Sequence, residues 1–185
     1  MKPMHVLCIG DSLLSGYGIN KEQSVKNILS KKSDFIIDTY VDVGLTTKRF
    51  LLEYTSIELT HVYDFVLLEL GANDYLMNQD VSDTIINLQK IIDILKNKSK
   101  SIIIVSFIDD SMFEINNLGF NKDLLIEYKQ MYESLANQEN VHLFDSYWKG
   151  EFSKLEKKVD FFHPNENLSK EIADRIYLYI KNFNM

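Results

Sequence analysis

Two kinds of apolar pattern alternate along this 185-residue chain. Short continuous runs rich in Val, Ile, Leu and aromatic residues are followed by apolar residues at helical spacing. The runs have the length of strands buried on both faces, and the stripes mark helices that cover them. Residues 5–9 (His-Val-Leu-Cys-Ile), 35–41, 63–70, 101–107 and 141–144 read as five strands. Val25, Ile28 and Leu29 begin the helix stripes, and Ile85, Leu88, Ile91, Ile92 and Leu95 form the longest apolar one. Leu124, Leu125, Tyr128, Met131, Tyr132 and Leu135 make another, Leu168, Ile172, Ile176 and Ile180 the last, and 47–57 includes a short helix. Alternation of this kind predicts an α/β protein, a three-layer α/β/α sandwich around a five-stranded parallel sheet, because parallel neighbours need a long crossover and a helix supplies it. The most β-branched run, 101–107, is expected at the centre of the sheet.

The length suits one domain over 1–185, and no linker, low-complexity stretch or repeat argues for two. A 45% hydrophobic and 25% charged composition is that of an ordinary soluble globule. The formal net charge of −7, with no basic stripe, disfavours nucleic acid and anionic membrane surfaces as partners, so neither is expected. Cys8 is the only cysteine and falls within the first strand, which excludes an internal disulfide. With four scattered histidines it forms no metal-ligand cluster, so no metal and no cofactor are expected. The amino terminus runs directly into the first strand without the apolar core of a secretory signal, and no apolar run is long enough to span a bilayer. A cytoplasmic location is the resulting expectation; the oligomeric state is left open.

A sheet of this kind carries its ligands at the carboxyl ends of its strands. Ser12 follows the first strand, Gly44 the second and Gly71-Ala-Asn73-Asp74 the third, while Asp160 and His163 precede the last helix. At a junction of strand and helix, backbone N–H groups lack helical partners, so charge developing beside Ser12 can be stabilised there. Serine is a weak nucleophile until a base takes its proton, and imidazole is the usual base because it titrates near neutrality. Of the four histidines, His5 and His142 fall in strands and His61 just before one. His163 stands apart in Asp160-Phe-Phe-His163-Pro164, where the three-residue step lets Asp160 orient one ring nitrogen and present the other to Ser12. The same stretch also reads as a turn followed by a helix cap at Asn165. Acyl transfer needs oxyanion donors, and the backbone N–H groups of Ser12 and Gly44 with the Asn73 side-chain amide fit that role. Asp11, Leu13, Tyr75, Leu76 and Met77 flank these turns and are expected to contact substrate. Met112, Phe113, Ile115, Leu118 and Phe120 lie in a stretch without period and either line an acyl pocket or form a satellite core.

Gly10-Asp11-Ser12-Leu13, the glycine before Leu45-Thr46-Thr47, Gly71-x-Asn73-Asp74 and Asp160-x-x-His163-Pro164 resemble, in order and spacing, the four blocks of the SGNH, or GDSL, hydrolases. Gly10-Asp-Ser-Leu-x-x-Gly-Tyr-Gly18 is most similar to the branch of thioesterase I, lysophospholipase and arylesterase enzymes. The resemblance implies a flavodoxin-like fold, Ser12 as nucleophile, Asp160 and His163 completing the triad, and Gly44 and Asn73 as oxyanion donors. The second block lacks the family's leading asparagine, which leaves a register with Thr47 in place of Gly44. The expected activity is a metal-free serine esterase or thioesterase acting on small to medium acyl esters. Two alternatives stand beside it: a carbohydrate O-deacetylase of the same family, with Trp148 as a sugar platform, and a nucleotide-binding domain whose Gly16-Tyr-Gly18 turn cradles phosphate.

Overall fold

The structure, a computed structural model, describes residues 2–54, 59, 61–115, 119–138 and 140–183. Apolar runs pair as expected into one parallel sheet of strands β1 (Met4–Gly10), β2 (Phe35–Val41), β3 (Tyr63–Glu69), β4 (Ser99–Val105) and β5 (Val141–Phe144). Their order across the sheet is β2-β1-β3-β4-β5. Helices α1 (Ser12–Ser15), α2 (Val25–Ser30), α3 (Thr47–Tyr54), α4 (Ala72–Leu76), α5 (Val81–Lys96), α6 (Lys122–Ala136) and α7 (Glu166–Asn182) join and cover them. α2 packs on α7, while α5 packs on both α3 and α6, giving a helical layer on each side of the sheet.

The sheet grows from β1 in opposite directions, through β2 on one side and β3 on the other, so its chain reverses between β1 and β3. That reversal opens a crevice at the carboxyl ends of these two strands, and their exits carry Ser12 and Asn73. The centre of the sheet belongs to β3, not to the 101–107 run, which becomes β4, one place nearer the edge. Both strands have neighbours on each side and helices on each face, so both are apolar, and the order of crossovers decides which is central.

Sequence spacing suggests that Ser12 leads into the helix of Val25, Ile28 and Leu29. Instead it heads α1, a single turn that ends at Gly16, whose φ of 77° leaves the helical region, and α2 starts afresh on a Ser24 cap. Glycine reaches that left-handed conformation without the steric cost other residues bear. The phosphate-cradle reading of Gly16-Tyr-Gly18 fails for the same reason: the turn lies at the carboxyl end of a helix, where carbonyls rather than N–H groups point outward. Tyr128 and Tyr132 are buried in the core, as their helical spacing predicts. No helix among the described residues is long and apolar enough to cross a membrane.

Candidate active site

Asp11 leaves β1 and caps α1, its Oδ1 accepting the Leu13 N–H at 2.9 Å. This cap fixes Ser12 at the first helical position, whose N–H has no partner within the helix. The base arrives from the other end of the chain. Asp160 Oδ1 accepts the backbone N–H groups of Phe162 and His163, both at 2.7 Å, and winds the segment into a tight turn. Its other oxygen lies 2.8 Å from His163 Nδ1, and His163 Nε2 lies 2.9 Å from Ser12 Oγ. A carboxylate beside Nδ1 places the ring proton there and leaves Nε2 to accept from the hydroxyl. Asn165 caps α7 by accepting the Leu168 N–H at 3.0 Å, so the helix cap and the Asp/His pair coexist in one turn. Burial pushes the Asp160 carboxyl upward, but the N–H groups of His163 and Phe162 and the His163 ring outweigh it and hold the group below the usual carboxylate range.

Asn73, in the first turn of α4, donates from Nδ2 to Asp11 Oδ2 at 2.6 Å and more weakly to the Leu45 carbonyl at 3.3 Å. The first bond sets the direction of the amide. The second is long enough for a developing oxyanion to replace it. Gly44 lies on the same cavity wall, at φ 75°, and its N–H makes no hydrogen bond among the described residues. Thr47, the other register for the second block, is committed elsewhere: its N–H and hydroxyl donate to Asp74 at 3.0 and 2.5 Å, in full burial. Burial pushes Asp74 upward, and these two Thr47 bonds oppose the shift.

Ser12, Gly44, Asn73, Asp160 and His163 all line one cavity of about 290 Å³, together with Asp11, Tyr17, Val43, Leu76, Phe161 and Phe162. Of the residues expected to contact substrate, Asp11 and Leu76 reach it. Leu13 and Tyr75 do not: both are buried, Leu13 in the core beneath α1 and Tyr75 against Phe107 and Tyr128 with its hydroxyl on the Asn121 carbonyl. Met77 faces a different cavity, shared with Asp74, Asn87 and Lys90. Around the end of α4, Tyr75, Leu76 and the cap residue Met77 point in three directions because successive helical residues face different ways. Met112 is fully buried, and Phe113, Ile115 and Phe120 pack against the core, forming the satellite core instead of an acyl pocket; Leu118 lies outside the described residues.

Three contributions escaped the sequence reading. Tyr17, half exposed, sets its ring 4.6 Å from that of His163 and forms one wall of the cavity. Val43 and Tyr17 also wall a neighbouring cavity of about 400 Å³ lined by Lys21, Lys26 and Asn27, so two cavities meet across these side chains. Glu69, in full burial at the end of β3, accepts the Asp11 N–H at 3.1 Å. Its signal was present: a carboxylate that directly follows the apolar run Phe65-Val-Leu-Leu68 of β3. Among the described residues, no group of three or more His, Cys, Asp or Glu side chains could hold a metal ion.

Residues 8–168 match the model of the GDSL-like lipase/acylhydrolase family. The chain belongs to that family. This GDSL-like acylhydrolase is 27% identical over 179 residues to an arylesterase of Vibrio mimicus, covering 91% of this chain and 84% of the relative. It is similar in fold to TesA (TM-score 0.82, 17% identity, 96% of this chain and 98% of the other). It is also similar to the psychrotrophic esterase EstA from Pseudoalteromonas sp., solved with monoethylphosphonate as inhibitor (TM-score 0.81, 22% identity, 97% of each chain). An acetyl xylan esterase, AlAXEase, shares the fold at a TM-score of 0.76 and 16% identity, over 96% of this chain and all of the other. As a GDSL-like acylhydrolase, the protein is a serine-dependent carboxylic ester hydrolase.

Proposed function

We propose that this protein hydrolyses small to medium acyl esters through an acyl-enzyme on Ser12, with His163 as general base and acid and Asp160 as its orienting carboxylate. His163 Nε2 takes the hydroxyl proton as Oγ attacks the acyl carbon. The tetrahedral oxyanion is received by the N–H groups of Ser12 and Gly44 and by the Asn73 amide. Collapse returns the proton to the departing alkoxide or thiolate, and a water activated by His163 then releases the acid. The observation that carries this reading is the continuous relay of 2.9 and 2.8 Å from Ser12 through His163 to Asp160, opening on the cavity that also holds Gly44 and Asn73.

A cavity of about 290 Å³ lies at the lower end of the roughly 300 to 1,000 Å³ usual for ligand sites, which favours short acyl groups. The arylesterase relative supports the same substrate class. Trp148 gives no support to a sugar platform, because it is fully buried and its indole N–H donates to the Phe107 carbonyl at 2.8 Å. A fluorophosphonate probe should label the wild-type protein and leave Ser12→Ala, folded, unlabelled. p-Nitrophenyl esters of rising chain length, run beside acyl-CoA, a lysophospholipid and an acetylated sugar, should give their highest kcat/KM with the short aryl esters. Labelling that survives in Ser12→Ala would remove Ser12 from the chemistry.

A further inference from the structure

We propose that Glu69 is a positioning residue for the oxyanion amide, acting as a neutral carboxylic acid through Asp11 on Asn73. The inference rests on the proposed role of Asn73. Glu69 stands opposite Gly10 in the pairing of β3 with β1 and is wholly shielded from solvent. A Cβ at position 10 would sit 2.9 Å from Glu69 Oε2 and 2.7 Å from Leu14 Cδ1, so glycine at that place makes room for the carboxyl group.

Oε2 accepts the Asp11 N–H, but Oε1 is buried and meets no donor among the described residues. An ionised Glu69 would therefore leave one charged oxygen unsatisfied in a dry site and set a second negative charge beside Asp11. A protonated Glu69 has a donor of its own, and Asp11, whose N–H Oε2 already accepts at 3.1 Å, is the neighbouring carboxylate that would accept it. Among the described residues, the titratable groups that act on or feel the pair are Asp74 on α4 and the phenols of Tyr132 on α6 and Tyr147, none of them a cation; both phenols are pushed up first by burial, and Arg175 bears on Tyr147 alone of these. Burial first, and then Asp11, pushes Glu69 well above the usual range, in keeping with a retained proton.

One negative charge then serves two acids, and it stays on Asp11. There its two oxygens hold the Leu13 N–H, which fixes the turn of Ser12, and the Asn73 amide. Without the Glu69 donor, Asp11 would have to turn or take a proton itself, and an acceptor for Asn73 would be lost.

Glu69→Gln keeps a donor toward Asp11 and an acceptor for its N–H, whereas Glu69→Met keeps the length and removes both. Expected results with p-nitrophenyl acetate are a kcat for Glu69→Gln within about threefold of wild type, and for Glu69→Met a loss of about tenfold or more at an unchanged KM. Independently of activity, the side-chain amide resonance of Asn73, identified by its absence in Asn73→Ala, should shift in Glu69→Met and hold its place in Glu69→Gln. Wild type should also show the carbonyl stretch of a buried carboxylic acid in infrared spectra, and Glu69→Gln should lack it. Because a raised carboxyl pKa costs stability once pH passes the unfolded value of about 4.3, Glu69→Gln should melt increasingly above wild type as pH rises from there. An unmoved Asn73 resonance and full kcat in Glu69→Met would overturn the proposal. So would equal losses in both variants, or no acid carbonyl band in wild type. Should Glu69→Met fail to fold, the band and the Glu69→Gln kinetics and melting decide. A chain without esterase activity would sink the proposed function, while the resonance and the band still test Glu69.

Discussion

Asn73 has one strong bond to Asp11 and one weak bond to Leu45, a geometry that leaves a hydrogen available when an oxyanion forms. Asn73→Ala should lower kcat by ~10²-fold, the usual loss of one such donor, with KM little changed in steady-state kinetics. Asp160 gives a second prediction, of stability against pH. Its folded pKa lies below the unfolded value, so the folded protein binds this proton less readily, and the resulting stability is present above about pH 4 and lost as pH falls through the folded value. The stability advantage of wild type over Asp160→Asn should therefore hold above about pH 5 and shrink as pH falls below about 4 in denaturant titrations. Ser12, Asn73, Asp160 and His163 were legible as candidates because each brings a chemical type the reaction needs at a strand exit or before a helix. Tyr17 was not, since its value lies in a ring contact with a residue far along the chain.

At the scale of elements, periodicity located all five strands and the long helices, with shifts at their ends. β4 ends at Val105; the Ser106 N–H still donates to the Phe144 carbonyl of β5 at 2.9 Å, whereas the Phe107 carbonyl accepts the Trp148 indole N–H at 2.8 Å instead of extending the ladder. The single turn of α1 was invisible to a window of helical length, and its cap and its glycine stop define it instead. The cap of α7 is a testable element of the same kind. Asn165→Ala removes the acceptor of the Leu168 N–H and should cost about 1 kcal/mol, read as a lowered urea midpoint at constant m.

Across the whole molecule, the site exists because the sheet reverses direction between β1 and β3 and because α6 locks onto the exit of β3. The Tyr132 hydroxyl donates to the Leu70 carbonyl at 2.8 Å, in full burial, just before the turn that aims Asn73. Tyr132→Phe leaves that carbonyl without its donor and should cost about 1 to 3 kcal/mol in urea unfolding, with kcat falling more than KM rises. The amino-acid order alone determined the α/β class, the number of strands and the residue types at their exits, because these depend on local periodicity and on chemistry each residue carries by itself. Which strand is central, which of Leu13, Tyr75, Leu76 and Met77 reaches the cavity, and that Glu69 sits against Asp11 were decided by the tertiary structure alone. Those facts depend on register, on the facing of short helical turns and on burial shared between segments remote in sequence, none of which a local pattern encodes.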